Sequence, residues 1–212
     1  RGQPLRGPAV REGGTRRTFT NRDRKGSPML TLRVTDPARR RYRVAALVGL
    51  IAGLFSAVVK FGWEVPFPPR TPARNATNPP QELLQQLGVS PETSHTTVGF
   101  NGNELPIYSF AVHFGFAVFF ALLYCLAAER YPQIKLWQGA AFGLALWFVF
   151  HVVAMPAMGT VPAPWDQPLE EHLSEVFGHA IWLWSIEIVR RDLRNRITRQ
   201  PDPEVPLDEA TR

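Results

Sequence analysis

The sequence predicts an all-α membrane protein, a bundle of four transmembrane helices with both the N and C termini cytoplasmic. Three observations predict it. Of the 24 Lys and Arg, 12 fall within residues 1–41 and five more between Arg190 and Arg199. The stretches between those tails include long runs almost free of charge. The basic flanks of these runs all land on one side if the chain crosses the membrane four times. A net charge of +6 and a mean hydropathy of −0.12 conceal this segregation and would suit a soluble basic protein. Soluble helices mix charge along one face, whereas membrane proteins export it to loops and tails. The basic character is therefore read as orientation and as attraction to anionic headgroups, with the lipid bilayer as partner and no nucleic acid.

Residues 1–41 form a basic N-terminal tail. Within it, 1–28 are rich in Arg, Gly and Thr without apolar periodicity and are expected to be disordered. Met29 offers a native start, which makes 1–28 a non-native extension. The first apolar run begins beyond residue 40 and is too long for the core of a signal peptide. A helix needs about 20 apolar residues to cross ~30 Å of hydrocarbon. Residues 42–63, 107–128, 136–158 and 172–189 meet that requirement, the last being the shortest and most polar. They define a transmembrane domain over 42–190, followed by a C-terminal tail over 191–212. The periplasmic loop 64–106 opens with PFPPRTPARNATNPP, an extended, polyproline-like stretch, and continues with QELLQQLG, a short amphipathic helix expected on the membrane surface. The end of the chain, QPDPEVPLDEATR, is too rich in Pro and acid to fold.

Orientation follows from positive charge beside the spans. Arg39, Arg40, Arg41 and Arg43 precede the first span, Arg130 and Lys135 separate the second and third, and Arg190, Arg191, Arg194 and Arg196 follow the fourth. These arginines are expected to set topology and meet lipid headgroups. The opposite loops hold only Arg70 and Arg74.

Ionisable groups inside a membrane are costly, so each is a candidate for function. At 1.5 Å per residue, Lys60 lies ~25 Å from Arg43 and His151 ~24 Å from Lys135, both towards the outer side. His113 lies ~10 Å inside the outer entrance, and Glu175 and His179 lie ~6 and ~12 Å inside it. Lys60, Glu64, His113, His151, Glu175 and His179 thus share one outer layer and form a candidate proton-sensing or ligand cluster. Glu187 lies near the other end and is expected to pair with Arg190 and Arg191. Gly49, Gly53, Ser56, Lys60 and Glu64 follow one helical stripe, and Gly139, Gly143, Trp147 and His151 another. Gly49, Gly53, Gly139 and Gly143 are expected to serve close helix packing. Plainer readings stand beside these: Lys60 and Glu64 as an interfacial pair with Lys60 snorkelling, and each histidine as an interhelical hydrogen-bonding contact. Cys125, the one cysteine, permits no intrachain disulfide and reads as an inert apolar filler. Pro156 is expected to kink or end the third span.

The stretches KFGWEVPFPPR after the first span, KLWQG at the start of the third and SEVFGHAIWLWSIEIVRRDLRNRIT over the fourth closely resemble the YagU family of bacterial inner-membrane proteins. The similarity runs from about residue 40 to 206. The resemblance implies an inner-membrane location and a link to acid tolerance; it supplies no catalytic or ligand-binding residues. The expected function is accordingly non-enzymatic and stress-related, with the outer Lys/Glu/His layer responding to protons and no cofactor required. A metal-binding protein or membrane enzyme using Zn or Fe on the same residues is the alternative, although no H-E-x-x-H spacing is present. A small oligomeric transporter is a further one. The small-residue faces also admit a homodimer.

Overall fold

The computed structural model describes Gly2 and residues 34–202. Apart from Gly2, the stretch 1–28 expected to be disordered lies outside these residues, as do residues 203–212. In chain order the elements are α1 (Tyr42–Glu64), α2 (Pro79–Gln86), α3 (Pro91–Ser94), a hairpin of β1 (Thr97–Phe100) and β2 (Asn103–Pro106), α4 (Ile107–Arg130), α5 (Ala140–Trp147), α6 (Met155–Met158) and α7 (Leu169–Thr198). A π-helical stretch, Phe148–Ala154, joins α5 to α6. Among the described residues, three helices are long and apolar enough to cross a membrane: Tyr42–Glu64, Ile107–Arg130 and the continuous run Ala140–Met158. Helix α7 is longer than any of them but carries charged residues towards both ends.

The apolar packing is inverted relative to a soluble protein. On α1 the buried residues are mainly small, among them Ala45, Gly49, Ala52, Gly53, Ser56 and Ala57, while Leu47, Leu50, Ile51, Leu54, Phe55 and Val58 face outward. Lipid solvates a large aliphatic side chain as well as a protein interior does, so what holds membrane helices together is close backbone approach across small residues. A methyl group on Gly53 would stand 2.6 Å from the Val118 Cα, and one on Gly49 3.0 Å from that of Leu122. Gly143 presses equally hard on the backbone carbonyl of His179. These contacts make α1/α4, α1/α7 and α5/α7 the extensive helix pairs. The space between α4 and the π stretch is bridged by rings instead: Phe116 lies 5.0 Å from Phe150 and 5.8 Å from Trp182, centroid to centroid.

Several boundaries differ from the expected ones. The third span begins at Ala140, not at 136, because Trp137, Gln138 and Gly139 all take left-handed backbone angles. Gly139 is therefore a turn residue rather than part of a helical stripe, although it still packs closely: a Cβ there would meet the Tyr124 hydroxyl at 2.8 Å. Pro156 lies in the last turn of the span, which ends at Met158. A proline lacks the N–H that would close the preceding turn and its ring crowds an earlier carbonyl. The chain absorbs this by widening into the π stretch just before it, where the Met155 N–H reaches back to Phe150 O. The fourth helix runs to Thr198 instead of ending at 189, so the start of the expected tail is helical.

The long loop also departs from expectation. The helix read in QELLQQLG is present as α2, with Asn78 and Gln81 forming a reciprocal capping box. It packs on the bundle rather than lying free on a surface: Gln81 is buried, and Ser109 of α4 donates a hydrogen bond to the Asn78 side chain at 2.9 Å. The polyproline-like stretch folds back as well, through a short 3-10 turn at Ala73–Asn75.

Replacing Gly143 with Ala is expected to cost about 1–3 kcal/mol, the range for overpacking a close contact. Thermal unfolding in detergent should show a lower Tm. Gly115→Ala, where a methyl would meet open space, should not lower it.

Candidate functional site

At the end of the bundle that carries the long loop, the carboxylate of Glu175 is a point of convergence. Helix α7 presents it one turn before His179. Lys60 of α1 donates to Glu175 Oε2 at 3.1 Å and to Glu64 Oε1, one turn further along α1, at 2.6 Å. Arg70, from the loop after α1, donates to Glu175 Oε1 at 3.2 Å. His151 Nε2 and His179 Nδ1 lie 3.6 and 3.5 Å from Oε2. His179 Nδ1 also faces the Glu175 backbone oxygen at 2.8 Å. A carbonyl can only accept, so this nitrogen carries the hydrogen and Nε2 is turned away from the carboxylate. The two imidazoles meet edge to face, 4.8 Å apart. Lys60, Glu175 and His179 are each about 5% exposed, so their polar groups are answered by one another rather than by bulk water.

Lys60 reaches Glu175 because α7 offers Gly178 beside it; a Cβ there would meet both the Lys60 Nζ and Trp63 Cδ1 at 3.0 Å. The first turns of α7 bind the loop as well. The Thr71 N–H donates to Glu171 Oε1 at 3.1 Å, Arg74 pairs with Glu171 Oε2 at 3.2 Å, and the Ser174 hydroxyl donates to Phe67 O at 2.6 Å. The structure thus brings together Lys60, Glu64, His151, Glu175 and His179. It sets His113 apart: that ring stacks on Phe61 at 4.1 Å and donates to Ala57 O at 3.3 Å, although it lines the same cavity. Reading the sequence missed Arg70, Glu171, Arg74 and Gly178. The first three sit in or beside a loop that looks solvated, and Gly178 was recognisable only as a glycine next to a candidate histidine.

His151, Glu175 and His179 offer one ligand atom each, all within 4.8 Å of one another. By type they suit zinc or iron. The residues do not fit a metal as arranged, however. The Lys60 ammonium holds the carboxylate oxygen nearest both rings, and Arg70 holds the other, so a divalent cation would enter against two fixed positive charges.

The opposite end holds a second buried network. Arg194 lies against Glu129 through its Nε and, at 3.1 Å, its Nη2, while the Arg41 backbone N–H donates to the same carboxylate at 2.8 Å. Arg190 pairs with Glu187 and Asp202, Tyr124 donates to Glu187 at 3.0 Å, and Lys135 donates to Asp202 at 2.6 Å. Arg190 and Arg194 are each 1% exposed, so the expectation that they meet headgroups does not hold. They are used to satisfy carboxylates inside the bundle. The expectation that the chain after Gln200 cannot fold also fails at Asp202, which is buried and pinned. Burial alone would raise the Asp202 pKa. The hydrogen bonds and charge of Arg190, with the charge of Lys135, outweigh that and hold it below the ordinary carboxylate range.

Residues 54–188 match a family model described as a protein of unknown function, DUF1440. The chain is similar to the inner membrane protein YagU of Escherichia coli strain K12, with 44% identity over 194 residues that cover 82% of this chain and 95% of that protein. No solved structure matches the chain.

Two measurements check these readings. Since the folded-state pKa of Asp202 is depressed, its contribution to stability is complete above the ordinary value of ~3.9 and is lost as pH falls through the lower folded value. Amide exchange around Arg199–Asp202 should therefore stay slow down to about pH 4 and quicken only below it, and Asp202→Asn should abolish that step. Elemental analysis of protein purified without chelator should find no stoichiometric zinc or iron. A bound equivalent that disappears in His151→Gln would reverse the reading of the histidine pair.

Proposed function

The chain belongs to the YagU family of inner-membrane proteins, and from that premise we propose that it is a non-enzymatic inner-membrane protein that contributes to acid tolerance through a proton-responsive clamp on its periplasmic loop. The reading takes α7 as a fourth span and both termini as cytoplasmic. Two features support the fourth span. Leu169, Leu173, Phe177, Trp184 and Ile188 form an exposed apolar stripe along α7, suited to lipid. The charges Glu175, Glu187 and Arg190 are buried on its other faces. Average hydropathy is low because the two faces are summed, not because the helix lacks a lipid-facing side. The basic flanks support the orientation.

The observation that carries the clamp is the sharing of one buried carboxylate, Glu175, by Lys60, Arg70, His151 and His179. With the imidazoles neutral, the charges of Lys60, Arg70, Glu64 and Glu175 cancel. Charging His151 and charging His179 both add positive charge beside Lys60 and Arg70. His113 on α4 and Arg74 in the loop face the same region. Each step weakens the hold of α7 on residues 67–74, because that hold consists of Arg70, Thr71 and Arg74 bound to Glu171 and Glu175. Opening would re-expose the loop and the cavity beneath it to the periplasm.

Hydrogen exchange of residues 66–78, measured on protein in nanodiscs between about pH 7.5 and pH 4.5, tests this. Exchange should accelerate at least tenfold in acid after correction for the intrinsic rate. His151→Gln combined with His179→Gln should remove the acid-induced change, and Glu171→Gln should speed exchange already at neutral pH. In cells, the double histidine variant should survive an acid challenge less well than the parent. Corrected exchange that is flat across the whole range would rule the clamp out.

A further inference from the structure

The same end of the bundle holds a half-open cavity of about 470 Å³. It lies where α4 and the π stretch stand apart, and its walls are Phe61, Phe110, Phe116, Phe150 and Met155. Loop residues from Pro68 to Leu83 roof it, and Lys60, Arg70, His151 and Glu175 are at its polar side. Its size falls within the ~300–1,000 Å³ of small-molecule sites, and mostly apolar walls with a few convergent polar groups are typical of them.

A count of donors and acceptors shows what the polar side lacks. Both oxygens of Glu175 are taken, by Lys60 and Arg70. Lys60 commits two of its three hydrogens to Glu175 and Glu64. Arg70 has five N–H groups and spends one of its nitrogens on Glu175, with no other hydrogen-bond partner among the described residues. His151 makes no hydrogen bond among the described residues; it has only the 3.6 Å approach to Glu175. The unused capacity at Arg70 is therefore entirely for donation, and guanidinium presents its donors in a planar fork that matches a carboxylate.

The geometry points to a binding site for a small amphipathic monocarboxylic acid, its apolar body against the phenylalanines and its carboxylate on Arg70 and His151. A cationic amphiphile would face Lys60 and Arg70, and an uncharged one would leave the guanidinium donors idle. The site does not depend on the acid response of the clamp, since its groups are in place with the loop closed. The clamped loop forms part of its wall, and the cavity is already half open with the loop in place.

The test uses the full chain in nanodiscs at about pH 7.5, with 4-phenylbutyrate as probe and 4-phenylbutan-1-ol and 4-phenylbutylamine as uncharged and cationic comparators. Binding is read by saturation-transfer NMR and by the shift in Tm. The carboxylate should bind about tenfold more tightly than the alcohol, and the amine should not bind. Arg70→Gln should remove that advantage while leaving the alcohol unaffected. Val112 also lines the cavity, and Val112→Phe, which fills it and keeps every charge, should weaken both at least tenfold. Equal binding of carboxylate and alcohol, undiminished carboxylate binding by Arg70→Gln, or no binding by protein with wild-type Tm would overturn the site. Carboxylate binding together with pH-independent loop exchange would sink the clamp alone, and acid-dependent exchange without binding would sink the site alone.

Discussion

A carboxylate buried as deeply as Glu175 is tolerable only if the protein supplies what water would have supplied. That single requirement organises the loop end of the molecule. Losing one partner of a buried ion pair costs about 3–5 kcal/mol, since the survivor remains charged and desolvated. Lys60 must therefore extend across from α1, which needs the room that Gly178 leaves, and α1 must lie close to α7 for the reach to succeed. The contact of Gly143 with the His179 backbone fixes α7 from the other side. Arg70 completes the shell and draws the loop down with it. Helix packing, loop path and charge compensation are one arrangement seen at three scales.

The two ends of the bundle solve the same problem differently. At the tail end, Glu129, Glu187 and Asp202 are each met by arginine, with Lys135, Tyr124 and a backbone N–H as further donors. Arginine keeps its charge at any physiological pH. The loop end mixes Lys60 and Arg70 with two imidazoles, and imidazole is the side chain whose charge changes nearest neutrality. Permanent cations meet the carboxylates where the tails leave the bundle, and imidazoles stand among them where the long loop covers it.

Much of this was legible in the sequence, and the failures have physical causes. The existence of α1, α4 and the third span followed from length and hydropathy, and the boundaries of α1 came out almost unchanged. The start of the third span was hidden because Trp137 and Gln138 are apolar or neutral enough to join a helix, and only their left-handed backbone excludes them. Depth counted along each helix was enough to place Lys60, Glu175, His151 and His179 in one layer. It failed for His113, because depth says nothing about rotation, and that ring is turned to Ala57 and Phe61. Arg70 was invisible because no periodicity governs a proline-rich loop. Arg190 and Arg194 misled for the opposite reason: a basic run after a span looks like headgroup contact unless the partners, Glu129 and Asp202, are known to return to it.

The π stretch has a consequence of a different kind. A π turn is an α-helix that carries one residue more than its ladder needs. Removing a residue between Phe148 and His151 would close the ladder and change the bearing of the side chains within the stretch relative to α5. His151 sits inside that stretch, so its bearing on Glu175 is written in the length of the segment as well as in the identity of the residue. A one-codon deletion could leave every side chain of the cluster intact and still aim the imidazole elsewhere.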